Sequence, residues 1–201
     1  MALKTENLSF TYSNCISPVL NEITTTFHEK KLYLLLGPSG CGKSSFTNIL
    51  AGIIPSNING ELKGDILINN KSIIKKNSYE RTLDIGYVMQ DSDTQFCTYI
   101  VEDELLFGLE NLKFSKEEMD NRLNKVLDIL DISDLRQRTL NSLSGGQKQK
   151  VSIASILILD PPVIILDEPT ANLDAVSSIE IFRIINNLKK KYNTTITIIE
   201  H

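Results

Sequence analysis

The sequence predicts an α/β domain on a mostly parallel sheet, with an antiparallel sheet at one flank and a helical lobe inserted into the core. Three observations carry this. Short β-branched or leucine-rich runs each end on a polar residue or glycine and then give way to helical pattern, the alternation of a parallel α/β sheet. Runs near the start alternate apolar and polar residues more strictly, as antiparallel strands do. One long stretch, about 91–143, has helical spacing and no strand signal.

In chain order, Leu3 to Phe10, Val19 to Phe27 and Gly64 to Ile68 are the alternating runs and form the flanking antiparallel sheet. Leu32 to Leu36 runs into Gly37, Ile85 to Met89 into Gln90, Val163 to Leu166 into Asp167, and Thr195 to Ile199 into Glu200 and His201. Ligands of an open parallel sheet lie at the carboxyl ends of its strands, so these four junctions converge on one edge. Within the lobe, Ser115 and Glu118 have capping-box spacing, and Met119, Leu123, Val126 or Leu127, and Leu130 then recur at helical spacing.

At 201 residues and 41% hydrophobic content, the chain can bury one sizeable core. No apolar run reaches the ~18 residues of a membrane span, and Met1-Ala2-Leu3-Lys4 lacks the apolar core of a secretory signal, so the chain reads as cytosolic. Cys15, Cys41 and Cys97 are too scattered for a disulfide framework or a zinc site. A net charge of -4 argues against a nucleic-acid partner, which would need a basic face. The runs Lys30-Lys31, Lys75-Lys76 and Lys189-Lys190-Lys191 read as solvated surface, so any bound anion needs a local device.

Gly37-Pro38-Ser39-Gly40-Cys41-Gly42-Lys43-Ser44 supplies such a device. It fits the phosphate-binding loop G-x-x-x-x-G-K-[ST], after a strand and before the helical run from Ser45 to Leu50. Glycines turn the amides inward, the helix N-terminus adds about half a positive charge, Lys43 reaches the β and γ phosphates, and Ser44 offers a hydroxyl to Mg²⁺. Val163 to Glu168 is an apolar strand ending in two carboxylates, Asp167 on the magnesium side and Glu168 as general base. Leu143-Ser144-Gly145-Gly146-Gln147, just before the helical Lys148 to Leu157, makes a second anion-receptive helix start.

Together these runs resemble the ATP-binding cassette family over essentially the whole chain. The resemblance implies a P-loop NTPase with a RecA-like core, with ATP and Mg²⁺ bound. It implies nucleotide contacts from Gly37, Pro38, Ser39, Gly40, Cys41, Gly42, Lys43, Ser44 and Ser45, with Tyr12 stacking on adenine. Gln90 would sense magnesium and the attacking water, Asp174 would act across a dimer, and His201 would contact the γ-phosphate. It also implies that Ser144, Gly145, Gly146 and Gln147 of one copy close over a triphosphate held by another. A second cassette and a transmembrane subunit are the implied partners, at the cytoplasmic side of the cell membrane.

No heptad array separates Lys43 from Ser144, which favours the transporter branch over DNA-repair and chromosome-organising members. Gln90 to Phe96 and Val101 to Asn111 are similar to the energy-coupling factor subgroup, which takes up vitamins or metal ions. Asp91-Ser92 departs from that subgroup's Asn-Pro, and Lys150 stands in place of its arginine. Family members continue beyond the histidine, so the resemblance implies a part of a longer cassette or the first cassette of a tandem protein. Two other readings are a soluble cassette ATPase acting on nucleic acid or ribosomes, and a regulatory nucleotide-binding module without turnover; Glu168 argues against the latter.

Overall fold

The computed structural model describes residues 2–191 and 194–200. The strands are β1 (Leu3–Tyr12), β2 (Leu20–Phe27), β3 (Leu32–Leu36), β4 (Gly60–Ile68), β5 (Lys71–Ser72), β6 (Ile85–Val88), β7 (Val163–Asp167) and β8 (Thr195–Glu200). The helices are α1 (Lys43–Ala51), α2 (Ile53–Ser56), α3 (Ser78–Arg81), α4 (Ser92–Gln95), α5 (Val101–Asn111), α6 (Lys116–Leu130), α7 (Gly145–Leu157) and α8 (Ala175–Lys191).

The strands form two sheets, in the orders β2-β1-β4-β5 and β3-β8-β7-β6. Every pair in the first is antiparallel and every pair in the second parallel. The register sets Leu36 beside Glu200, Asp167 beside Ile199 and Val88 beside Leu166, so the carboxyl ends meet at one edge as expected. β4 starts at Gly60, earlier than the sequence pattern suggests. Gly64 has φ +90°, and a Cβ there would stand 2.5 Å from the carbonyl oxygens of Glu6 and Asn7. The irregularity there shifts the register of β1 on β4 and breaks the alternation midway along the strand.

Both faces of the parallel sheet are covered, which is why β7 reads as a continuous apolar run. Ile164, Leu166, Ile196 and Ile198 join the core shared with the helical lobe and α8. Val163, Ile165 and Ile199 join the core shared with α1 and the antiparallel sheet. Gly86 of β6 lies so close to α7 that a Cβ would meet Ile156 Cγ2 at 2.2 Å. Gly86→Ala is therefore expected to destabilise the fold by about 1–3 kcal/mol through overpacking, read as a lower urea midpoint at unchanged slope.

In the lobe, α6 buries Leu123, Val126, Leu127 and Leu130, as its spacing predicts. The Ser115–Glu118 capping box forms only by half. Ser115 Oγ accepts from Glu118 N–H at 3.3 Å, but the Glu118 carboxylate takes the guanidinium of Arg122, one turn on, at 2.9 Å. The acidic run opening α5 is not simply solvated. Glu104 is buried, and its Oε2 accepts from the Cys97 and Thr98 amides and the Thr98 hydroxyl, holding the turn that enters the helix. Among the described residues no helix is long and apolar enough to cross a membrane.

Candidate active site

The loop from β3 to α1 turns through Gly40 and Gly42, with φ of +79° and +98°, left-handed backbone that a side chain would strain. A Cβ on Gly42 would also press on the Val19 carbonyl oxygen at 3.2 Å. Gly42 caps α1 without a side-chain bond, so no cap side chain stands over the start of the helix. Lys43, only 7% exposed, donates to the carbonyls of Gly37 at 2.6 Å and Pro38 at 3.1 Å, which lays its ammonium across the loop. Ser44 is exposed. The Ser45 hydroxyl is hydrogen-bonded to Tyr12 at 2.7 Å. The Tyr12 ring meets Phe10 edge-on, so the end of β1 is fixed against the phosphate-loop helix.

β7 lies between β8 and β6 and is buried along its whole length. Asp167, at its end, accepts from the Tyr87 hydroxyl at 2.5 Å. Burial first, and then the Asp167 carboxylate, push the Tyr87 phenol well above its ordinary range, so it remains a donor. Glu168 leaves the strand with φ +44°, uncommon for a residue with a side chain. Its N–H donates to the Ile199 carbonyl at 3.1 Å, and its carboxylate accepts from the Gln90 amide at 2.7 Å. Val88 pairs with Leu166, so the parallel register brings Gln90 level with Glu168. Strained backbone held on several sides is typical of functional positions.

Beyond Gln90, α4 is fastened to α7. Ser92 donates to Gln149 Oε1 at 2.7 Å, the Gln95 amide donates to the Ser152 carbonyl and the Ser155 hydroxyl, and Lys148 pairs with Asp93 at 2.7 Å. Ser92 thus finds a partner that a proline there would lack. Ser144 caps α7 reciprocally: its hydroxyl accepts from Gln147 N–H at 3.3 Å, and Gln147 Oε1 accepts from Ser144 N–H at 3.0 Å. The S-x-x-Q spacing of Ser144 and Gln147 carries the signal of this cap in the sequence. Gly146 is buried, and a Cβ on it would stand 2.8 Å from Ser177 Oγ of α8. Lys150, also buried, pairs with Glu180 at 2.7 Å and so joins the same two helices.

Gly145, Gln90, Glu168 and Asn172 line one cleft within the chain. The side chains of Ser144 and Gln147 bond to each other's backbone and not to the chain's own phosphate loop. Asp174 caps α8, accepting from the amides of Val176 and Ser177 and from the Ser177 hydroxyl. These donors, those of Ser177 first, hold its carboxyl below the usual range. Its capping contribution is therefore complete above the ordinary carboxylate pKa and lost as pH falls through the depressed folded value. Asp174→Asn is expected to flatten the acid limb of stability against pH, followed by melting temperature from neutral to acid. His201 lies outside the described residues.

Among the described residues no three His, Cys, Asp or Glu side chains are grouped to hold a metal ion. A single carboxylate with a hydroxyl, as Asp167 and Ser44 offer, suits Mg²⁺, which keeps several waters of its own. The model of the ABC transporter family matches residues 20–171. The chain belongs to the ABC transporter family. It is 42% identical over 200 residues to the proposed HMP/thiamine import ATP-binding protein YkoD of Bacillus subtilis (strain 168), covering 99% of this chain and 37% of YkoD. A proposed ABC transporter ATP-binding protein of Pyrococcus abyssi is 35% identical, over 99% of this chain and 71% of its own length. This ABC chain therefore spans little more than a third of YkoD. The solved structure of cbiO1 from Clostridium perfringens, part of the ABC transporter complex cbiONQ, superposes with a TM-score of 0.87 at 33% identity, covering 100% of this chain and 78% of cbiO1. The ADP conformation of MJ1267, an ATP-binding cassette of an ABC transporter, gives 0.82 at 28% identity, over 100% and 81% of the two chains.

Proposed function

We propose that this chain binds MgATP at the carboxyl edge of its parallel sheet and hydrolyses it as one half of a cassette pair that drives a membrane transporter. One observation carries the reading: the Lys43 loop, Asp167 and the Gln90–Glu168 pair converge where parallel register aligns the strand ends. Lys43 and the α1 amides bind the phosphates, while Tyr12 takes the adenine ring. Ser44 and Asp167 would hold Mg²⁺, with Gln90 beside them; when bound, the ion would supply positive charge toward the phosphate oxygens. Glu168, aimed by Gln90 and by its own backbone, orients the attacking water and accepts its proton. Phosphoryl transfer asks for positioning and charge stabilisation, and a rigid strand end supplies both.

The Ser144-Gly145-Gly146-Gln147 start of α7 closes over the γ-phosphate of the second cassette, Asp174 lies at that seam, and His201 adds a γ-phosphate contact. Similarity to YkoD and cbiO1 supports uptake of the energy-coupling factor type, with a vitamin or metal ion as cargo and peripheral placement on the cytoplasmic face. The net charge of -4 supports a protein partner over nucleic acid. The test is Mg²⁺-dependent ATP turnover by the chain, alone and co-purified with a polytopic membrane subunit. Turnover that the membrane subunit raises supports the reading; absence of ATP binding and turnover in both preparations ends it.

A further inference from the structure

Tyr87 stands between the two elements that carry the proposed magnesium ligands. Its half-buried ring packs in the core cluster with Phe46 and Ile49 of α1 and Ile165 of β7. Its hydroxyl donates to Asp167 Oδ2 at 2.5 Å, the length of a charge-assisted O–H···O⁻ bond. Thr47, fully buried on α1, keeps its hydroxyl on its own helix. It donates to the carbonyls of Lys43 and Ser44, each at 3.2 Å, and so braces the first turn that carries Ser44.

We infer that Tyr87 is the positioning residue of the cation site, fixing the direction of the Asp167 carboxylate from a ring packed in the core shared by α1 and β7. The inference rests on the MgATP reading. A carboxylate at a strand end can rotate, and an outer donor that fixes it removes part of the ordering cost when a cation arrives. Outer partners of this kind commonly change cation affinity by about 10- to 100-fold. The Tyr87 ring is anchored in the core, so its hydroxyl approaches from a fixed direction.

Tyr87→Phe keeps the packed ring and removes only the hydroxyl. The Mg²⁺ concentration for half-maximal turnover is expected to rise about tenfold, with turnover at saturating Mg²⁺ held within about twofold. Mn²⁺ binding to the ADP complex, followed by electron paramagnetic resonance, should weaken by the same factor, while ADP binding in EDTA stays unchanged. Unchanged or tighter Mn²⁺ binding by Tyr87→Phe, or an equal loss of ADP affinity in EDTA, would overturn the role. A wild-type chain with no Mg²⁺-dependent turnover and no Mn²⁺ binding sinks the MgATP reading itself. A cation-dependent wild type with an indistinguishable Tyr87→Phe sinks only the role of Tyr87.

Discussion

Glu168→Gln is expected to lower steady-state ATP turnover by about two to four orders of magnitude, the span of general-base assistance, while ATP stays bound. The substitution is nearly isosteric. Glutamine keeps a carbonyl oxygen that can accept from the Gln90 amide, and the backbone bond to Ile199 is untouched. What disappears is a carboxylate able to orient water and take its proton. The phosphate loop and the Ser144 helix start are unaltered, so two cassettes can still close over two ATP molecules, but the step that would part them is slow. Light scattering with MgATP should show dimer accumulating in Glu168→Gln and only transiently in the wild type. Unimpaired turnover by the variant would remove Glu168 from its role. Monomer at saturating ATP would count against closure across the pair.

The parallel strands were legible because each is a compact apolar run ending on a residue with a task, as Leu36 gives way to Gly37 and Asp167 to Glu168. The antiparallel flank was legible only in part. Gly64 interrupts the alternation of β4, and β5 consists of Lys71 and Ser72, too short to show any period. α3 and α4 are single turns set by local caps, the Asn77 side chain in one and Asp91 in the other, so no apolar stripe announces them. Ser115 and Glu118 had the spacing of a reciprocal cap, yet Arg122, one turn on, competes for the glutamate. The motifs named Lys43, Asp167, Glu168 and Gln90 separately, and only the strand register puts Gln90 on Glu168. Tyr87 was invisible for the same reason: nothing local marks a β-strand tyrosine as the partner of an aspartate 80 positions away.

Lys43→Ala is expected to weaken ATP binding by about a hundredfold or more, since hydrogen bonds to charged groups contribute roughly 1.5–3 kcal/mol each and Lys43 can make more than one to the phosphates. The chain carries a net charge of -4, so a polyanion is held by local geometry against the average field. Without Lys43, the α1 amides keep their partial charge of about one half, which accounts for residual rather than zero affinity. The same substitution takes a donor from the Gly37 and Pro38 carbonyls, so some loss of loop order accompanies the loss of charge. Thermal unfolding separates the two effects. Ligand stabilisation follows the ratio of free nucleotide to its dissociation constant, so MgATP should raise the melting temperature of the wild type and leave Lys43→Ala nearly unmoved. Both proteins should melt close together without nucleotide. An equal MgATP-dependent rise in the two would mean that the loop amides alone hold the triphosphate, and that Lys43 serves only to tie the loop to itself.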